Sequence, residues 1–202
     1  FWGIFLPWGE CFSWRNERKP ATAGGYATGV ATLGYMLQVA CIYVFSVAFK
    51  TGADWRNDFT AVYYALQVGE FGGSAATWLT TMPVVTKFLT AAVLLAEFFA
   101  PLLFFIPRLR LFGVLSLLMM HAGFLIFLNL GPFPLIASAG LVGLLPATFW
   151  NRISHRAADT IESQAIRAPR WQNIIAGVMI VCVLGWNLLA IPPSPYKPTP
   201  LF

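Results

Sequence analysis

Four ionisable side chains stand inside or at the ends of long apolar runs: Lys50, Lys87, Glu97 and His121. A charge in hydrocarbon is costly, so each calls for a partner or a function. Glu97 lies nine residues before Ile106, and His121 about eleven beyond Arg110, on either side of the short basic turn 107–110. At 1.5 Å per residue both fall roughly 13–17 Å from that turn. Segments joined so tightly are antiparallel neighbours, so Glu97 and His121 are expected to meet as an acid–imidazole pair. Such a pair serves either as a proton relay or ligand site, or as a structural hydrogen bond between helices.

Lys50 closes an apolar run and leads into Thr51-Gly52-Ala53-Asp54-Trp55. Two roles fit it. It can snorkel to the membrane interface beside a Trp anchor. It can instead act as a base, since apolar surroundings disfavour the charged form of a lysine. Gln38, about three turns earlier, is the one strongly polar residue within that run and can face the same interior. Asp54 can pair with Lys50 or with Arg56, the first only if helix continues through Gly52. Lys87 is expected to snorkel. Asn129 is a further polar group near the end of the run that carries His121.

The elements that must position these groups follow from composition. The chain of 202 residues is 58% hydrophobic and 10% charged, with mean hydropathy +0.69. A soluble domain carries roughly a quarter charged residues. The solvent over much of this chain is therefore lipid, and eight Trp and six Tyr suit two headgroup interfaces. Five runs approach the ~20 residues that cross hydrocarbon: 26–49, 84–106, 111–130, 135–150 and 174–191. Backbone in lipid must satisfy its own hydrogen bonds, so each should be a helix. The expected fold is an all-α polytopic transmembrane bundle of about five spans, with a short outer-side helix over Phe59–Val68. Phe71-Gly72-Gly73-Ser74 ends that helix, and Gly131-Pro132-Phe133-Pro134 is an uncharged break. A basic loop covers 9–23, a second basic loop resembling a short amphipathic helix covers 151–171, and the Pro-rich tail is expected to be extended. The opening residues, Phe1 to Trp8, read as the end of a helix already under way, so an earlier segment is expected before them.

Charge fixes an expected orientation. Five crossings place nine of the thirteen basic residues on one side: Arg15, Arg18, Lys19, Arg108, Arg110, Arg152, Arg156, Arg167 and Arg170. The positive-inside rule makes that side cytoplasmic and puts residues 50–82 on the non-cytoplasmic side. The same distribution explains a net charge of +5 without nucleic acid, for which no basic patch with interleaved aromatics is present. Cys41 and Cys182 lie in apolar runs, Cys11 stands apart, and no CxxC occurs, so neither a disulfide framework nor a metal site is predicted. No GxSxG, HExxH or P-loop supports a soluble-type hydrolase or kinase.

Taken in order, Lys50-Thr51-Gly52-Ala53-Asp54-Trp55, Tyr63-Tyr64-Ala65-Leu66, Glu97-Phe98-Phe99-Ala100-Pro101, and His121 followed by Leu130-Gly131-Pro132-Phe133-Pro134 resemble the HTTM family. This is the membrane domain shared by vitamin K-dependent γ-glutamyl carboxylases and many bacterial proteins. The resemblance runs through roughly residues 5–153, and implies an HTTM-like membrane domain over 1–153. Residues 154–202 then hold a basic cytoplasmic loop, the last transmembrane helix and the Pro-rich tail. It implies that Lys50 matches the lysine that deprotonates vitamin K hydroquinone, that Gln38 matches a glutamine at the same distance before it, and that His121 matches a later membrane histidine. It implies a quinone cofactor (menaquinone or vitamin K hydroquinone-like), held with help from Gln38, Asp54, Trp55, Glu97 and Asn129, in a multi-pass protein of the bacterial inner membrane. The sequence departs from the carboxylase at Gly9-Glu10, where that enzyme has an Asn-His pair, and these 202 residues hold no counterpart of its large lumenal domain. Redox-coupled modification of a peptide or lipid is the function this implies. A non-catalytic subunit of a larger membrane complex, packed through its aromatics and its small residues, is the rival expectation. A small transporter or a maturation factor for an exported toxin is a third.

Overall fold

A computed structural model of the chain describes residues 27–28, 30–73, 75–153, 166–167 and 170–189. Among these residues it is helical apart from one two-residue parallel pairing, β1 (Ala27–Thr28) with β2 (Ile166–Arg167). The helices are α1 (Val30–Phe49), α2 (Ala53–Arg56), α3 (Ala61–Gln67), α4 (Ala76–Thr80), α5 (Pro83–Leu103), α6 (Arg110–Phe127), α7 (Phe133–Val142), α8 (Ala147–Ile153) and α9 (Arg170–Leu189). The expected all-α class holds. The loop 9–23, the opening residues, most of the 151–171 loop and the Pro-rich tail lie outside the described residues.

Among the described residues three helices are long and apolar enough to cross a membrane: α1, α5 and α6. They correspond to the first three expected spans, each trimmed by a few residues. Large apolar side chains on their surfaces, among them Ile42, Phe88, Phe112 and Met119, are more than half exposed. That much apolar surface is consistent with a membrane protein and has no good account in water. The fourth expected span does not form as one helix. The run 135–150 is divided between α7 and α8, with amides of Leu144 and Leu145 closing short turns onto the Leu141 and Val142 carbonyls. Pro146 is the physical reason: it offers no amide to a continuing helix and disfavours helix at the residue before it. In α9 the apolar part, Asn173–Trp186, is shorter than a span.

The chain divides into two compact units, residues 1–38 with 163–202, and residues 39–162. In the first, Ala31 and Ala176 are buried against each other among Val30, Tyr35, Met179 and Ile180. The Val30 amide donates to Asn173 Oδ1 at 3.3 Å, which satisfies one of the free amides of a helix start.

In the second unit α5 and α6 form a tight hairpin. Pro83 opens α5, where its missing N–H costs nothing. The Arg110 guanidinium donates to the Phe104 carbonyl at 2.8 Å across the turn. Gly113 lets the two backbones close: a Cβ there would stand 2.8 Å from the Ala100 carbonyl oxygen. Phe104, Val114, Leu117 and, from α7, Leu141 are fully buried around this crossing.

The stretch between α1 and α5 is not a plain loop. The Arg56 side chain turns back to donate to the Val47 and Lys50 carbonyls at 3.0 and 2.9 Å, capping the end of α1. Phe59, between α2 and α3, takes a left-handed φ of 54°, unfavourable for a bulky residue, beside the Thr60–Asp54 side-chain hydrogen bond of 3.2 Å. The expected short helix over 59–68 is present as α3. The Val62 amide near its start donates to Thr90 Oγ1 on α5 at 3.1 Å. Leu66, Ala76 and Leu79 then form a small core with Leu89, Phe127 and Leu128. Gly73 donates to the Phe127 carbonyl at 3.1 Å and Asn129 to the Phe71 carbonyl at 2.7 Å, so this stretch is stitched to the end of α6.

Candidate functional site

Between the second half of α1, the middle of α5, the second half of α6 and the overlying α3 lies a cavity of about 430 Å³. Its walls are almost wholly apolar, with Val62, Leu89, Val93, Met120 and Phe127 among them. Five groups break that surface: Tyr43, Ser46 and Lys50 from α1 and the residue that follows it, Glu97 from α5, and His121 from α6. Their spacing on α1 is three and then four residues, so all three fall on one stripe of a helix.

Lys50 Nζ donates to Glu97 Oε2 and forms an ion pair with it. Ser46 Oγ donates to the same carboxylate at 3.3 Å. The Lys50 ammonium also lies over the Trp55 ring, 4.6 Å from its centroid. Glu97 is 4% exposed, so its charge is tolerable only because it is paired and hydrogen-bonded. The pair is neutral as a unit whichever partner holds the proton, which lowers the cost of placing it beside an apolar cavity. His121 is buried as well, at 2% exposed. Its Nε2 is 2.9 Å from the Tyr43 hydroxyl, and its ring meets Phe124 and Phe133 edge-on with centroids 5.6 and 5.8 Å apart. Among the described residues His121 Nδ1, fully buried, has no hydrogen-bond partner.

The expected Glu97–His121 pair does not form. Both residues line one cavity, but Glu97 turns to Lys50 and Ser46, and His121 to Tyr43. α5 and α6 are neighbours as expected, but the polar stripe of α1 supplies the partner of each side chain. Asp54 pairs with neither Lys50 nor Arg56. Helix does not run on through Gly52, which instead stands at the start of α2, and Thr60 takes the Asp54 carboxylate. The cavity wall includes Lys50, Trp55, Glu97 and His121 of the expected site residues, and leaves out Gln38, Asp54 and Asn129. Gln38 and Asn129 are exposed, and Asn129 contributes its backbone to the Phe71 contact. Tyr43 and Ser46 were missed, although their shared stripe with Lys50 was a readable signal.

Lys50 also meets α5 farther along than an interfacial helix end would. Glu97 follows Pro83 by fourteen residues, about 21 Å of helix. The end of α1 therefore meets the second half of α5 rather than its start.

No family model matches the chain, and comparison with curated proteins and with solved structures gives no match either.

Proposed function

We propose that this chain is an HTTM-type protein of a bacterial inner membrane that holds a quinone-like cofactor in the Lys50 cavity and uses it for redox-coupled modification of a peptide or lipid. The observation that carries this is an apolar cavity of about 430 Å³ bounded by a Lys50–Glu97 ion pair whose carboxylate is buried. A volume in the 300–1,000 Å³ range, apolar walls and a few convergent polar groups are the marks of a small-molecule site. Ionisable groups kept at such depth point to function by default. The residues fit a ring headgroup with an apolar tail: Trp55, Phe124 and Phe133 offer aromatic surface, and Ser46 and Lys50 offer polar contacts.

A hydroquinone, when bound, supplies electrons and an ionisable hydroxyl. Lys50 holds or releases a proton at Nζ. Passing that proton along its hydrogen bond to Glu97 leaves a neutral amine, the form a base requires. Ser46 steadies the Glu97 carboxylate in either state, and the apolar walls keep water from competing. The resemblance of the Lys50–Trp55 stretch to the carboxylase lysine motif supports the same role.

The test is quinone binding by purified wild-type and Lys50→Ala protein, from native extracts and with added menaquinone. Retention by wild type, with altered binding or oxidation in the variant, is the expected result. If neither protein takes up quinone while both join the same membrane complex, the chain is a structural subunit instead.

A further inference from the structure

Two side chains mark where the cavity meets the outside. Ile42 on α1 and Met119 on α6 both line it, yet they are 59% and 77% exposed. A residue that bounds a cavity and still shows most of its surface stands at the mouth rather than on an inner wall. The positions round each helix agree. At about 100° per residue, Met119 stands roughly 200° from His121 round α6, and Ile42 roughly 100° from Tyr43 round α1. The Tyr43–His121 hydrogen bond ties the two helices along one edge of the cavity. Ile42 and Met119 do not lie on that edge.

The mouth opens at mid-height of the helices. Ile42 is the thirteenth of 20 residues in α1 and Met119 the tenth of 18 in α6, and both helices are long and apolar enough to cross a membrane. The middle of such a helix lies in hydrocarbon. What stands outside the mouth is therefore acyl chain rather than water, and a compact water-soluble compound has no way in by this route. The polar groups lie toward the other end. Ser46 and Lys50 follow Ile42 by four and eight residues, about 6 and 12 Å along the helix axis. A site with polar groups at one end and an apolar mouth at the other suits an elongated amphiphile. Met119 is unbranched and adaptable, so it can fold aside for a chain.

We propose that the cavity opens sideways into the bilayer between Ile42 and Met119, and that its ligand is a membrane-borne amphiphile whose ring stays with Ser46 and Lys50 while its apolar chain leaves through that opening. The proposal rests on the quinone-like reading of the cavity and narrows it to quinones that carry a chain. Lipid tails are as apolar as the mouth, so the chain gains little affinity there. The mouth acts by admission: a residue that fills it should exclude the chain and spare the bare ring.

Spin labels test the opening without a ligand. Ile42→Cys and Met119→Cys are labelled singly, in full chain whose Cys11, Cys41 and Cys182 are replaced by alanine, in phospholipid nanodiscs. Both labels should collide with oxygen, which concentrates in hydrocarbon, and not with a water-soluble nickel chelate. Nickel access would put the mouth in water, and shielding from both reagents would put protein over it. Either result overturns the proposal.

Binding then separates chain from ring. The probes are 2-methyl-1,4-naphthoquinone and the same ring bearing two isoprene units, titrated by calorimetry and corrected against empty nanodiscs. Wild type should bind both. Met119→Trp should weaken the chain-bearing probe by at least about tenfold, the scale of an overpacking clash, and leave the bare ring within about twofold. Ile42→Trp should do the same from α1. Leu125→Trp, at an exposed α6 residue that is not on the cavity wall, should change neither. If wild type binds only the bare ring, or binds both while the two mouth variants treat them alike, the chain does not leave by this mouth and the proposal falls alone. If wild type binds neither probe, the quinone-like reading falls and takes the proposal with it.

Discussion

Lys50 and Glu97, 47 positions apart, are joined as an ion pair at the edge of an apolar cavity, with Ser46 as a second donor to the carboxylate. The lysine side chain is 17% exposed and the glutamate 6%. Burial of that order makes the two charges interdependent: each is tolerable because the other is present.

Removing one charge should therefore cost more than removing both. Lys50→Met and Glu97→Gln are each expected to destabilise the protein by about 2 kcal/mol, between the modest polar contacts of membrane helices and the larger penalty for a stranded buried charge. The double variant should lie closer to wild type than either single, and so well short of the sum of the two. Thermal unfolding of the four proteins in one detergent measures this as a double-mutant cycle. Additive losses would mean that the two side chains do not depend on each other.

Gly123 gives a way to fill the cavity without touching its polar groups. It lines the cavity, and a Cβ built on it meets nothing within 4 Å. Gly123→Leu should leave stability unchanged or raise it by up to about 1 kcal/mol, since glycine inside a helix is unfavourable. The same change should reduce naphthoquinone affinity at least several-fold by occupying the ligand's space. Undiminished binding by this variant would place the ligand elsewhere.

The converse holds at Gly113. A Cβ there would stand 2.8 Å from the Ala100 carbonyl and 3.0 Å from the Leu103 Cβ. Backbone cannot yield as a side chain can, so Gly113→Val must push α5 and α6 apart. The expected cost is roughly 1–3 kcal/mol of stability, read by the same thermal assay. Because Glu97 and His121 stand on the two helices being parted, naphthoquinone affinity should fall as well.

Much of this arrangement was legible in the sequence. Hydrophobic run length located α1, α5 and α6 to within a few residues, because a lipid-crossing helix must be long, apolar and unbroken. Intramembrane cost singled out Lys50, Glu97 and His121, all of which line the cavity. Partner choice was not legible. Pairing Glu97 with His121 followed from the tight α5–α6 turn alone, whereas the actual partners depend on how α1 crosses that hairpin, which chain connectivity does not determine. Tyr43 escaped notice because a tyrosine in an apolar helix looks like packing until its hydroxyl has a partner. Hydropathy alone makes the run 135–150 one span, because it counts Pro146 as one residue among many and not as a missing amide that divides α7 from α8.

Loop charge and the Lys50–Glu97 pair bear differently on membrane sidedness. The charge count puts residues 50–82 opposite the 107–110 turn. The Lys50–Glu97 pair brings the start of that stretch to the second half of α5, toward the end that bears the turn. Single cysteines at Asp58, Thr81 and Arg108, in a chain whose Cys11, Cys41 and Cys182 are replaced by serine or alanine, separate the two. A membrane-impermeant maleimide applied to intact spheroplasts should label positions 58 and 81, while position 108 should react only after the membrane is opened. Thr81 adjoins the start of α5 and Arg108 follows its end, so those two must differ if α5 crosses at all. Position 58 is the informative one. Labelling together with 81 supports five-crossing arithmetic for α1, with Lys50 leaning inward from the non-cytoplasmic face. Labelling together with 108 would mean that α1 enters from the opposite side, and that the proton held at Lys50 exchanges with the cytoplasm.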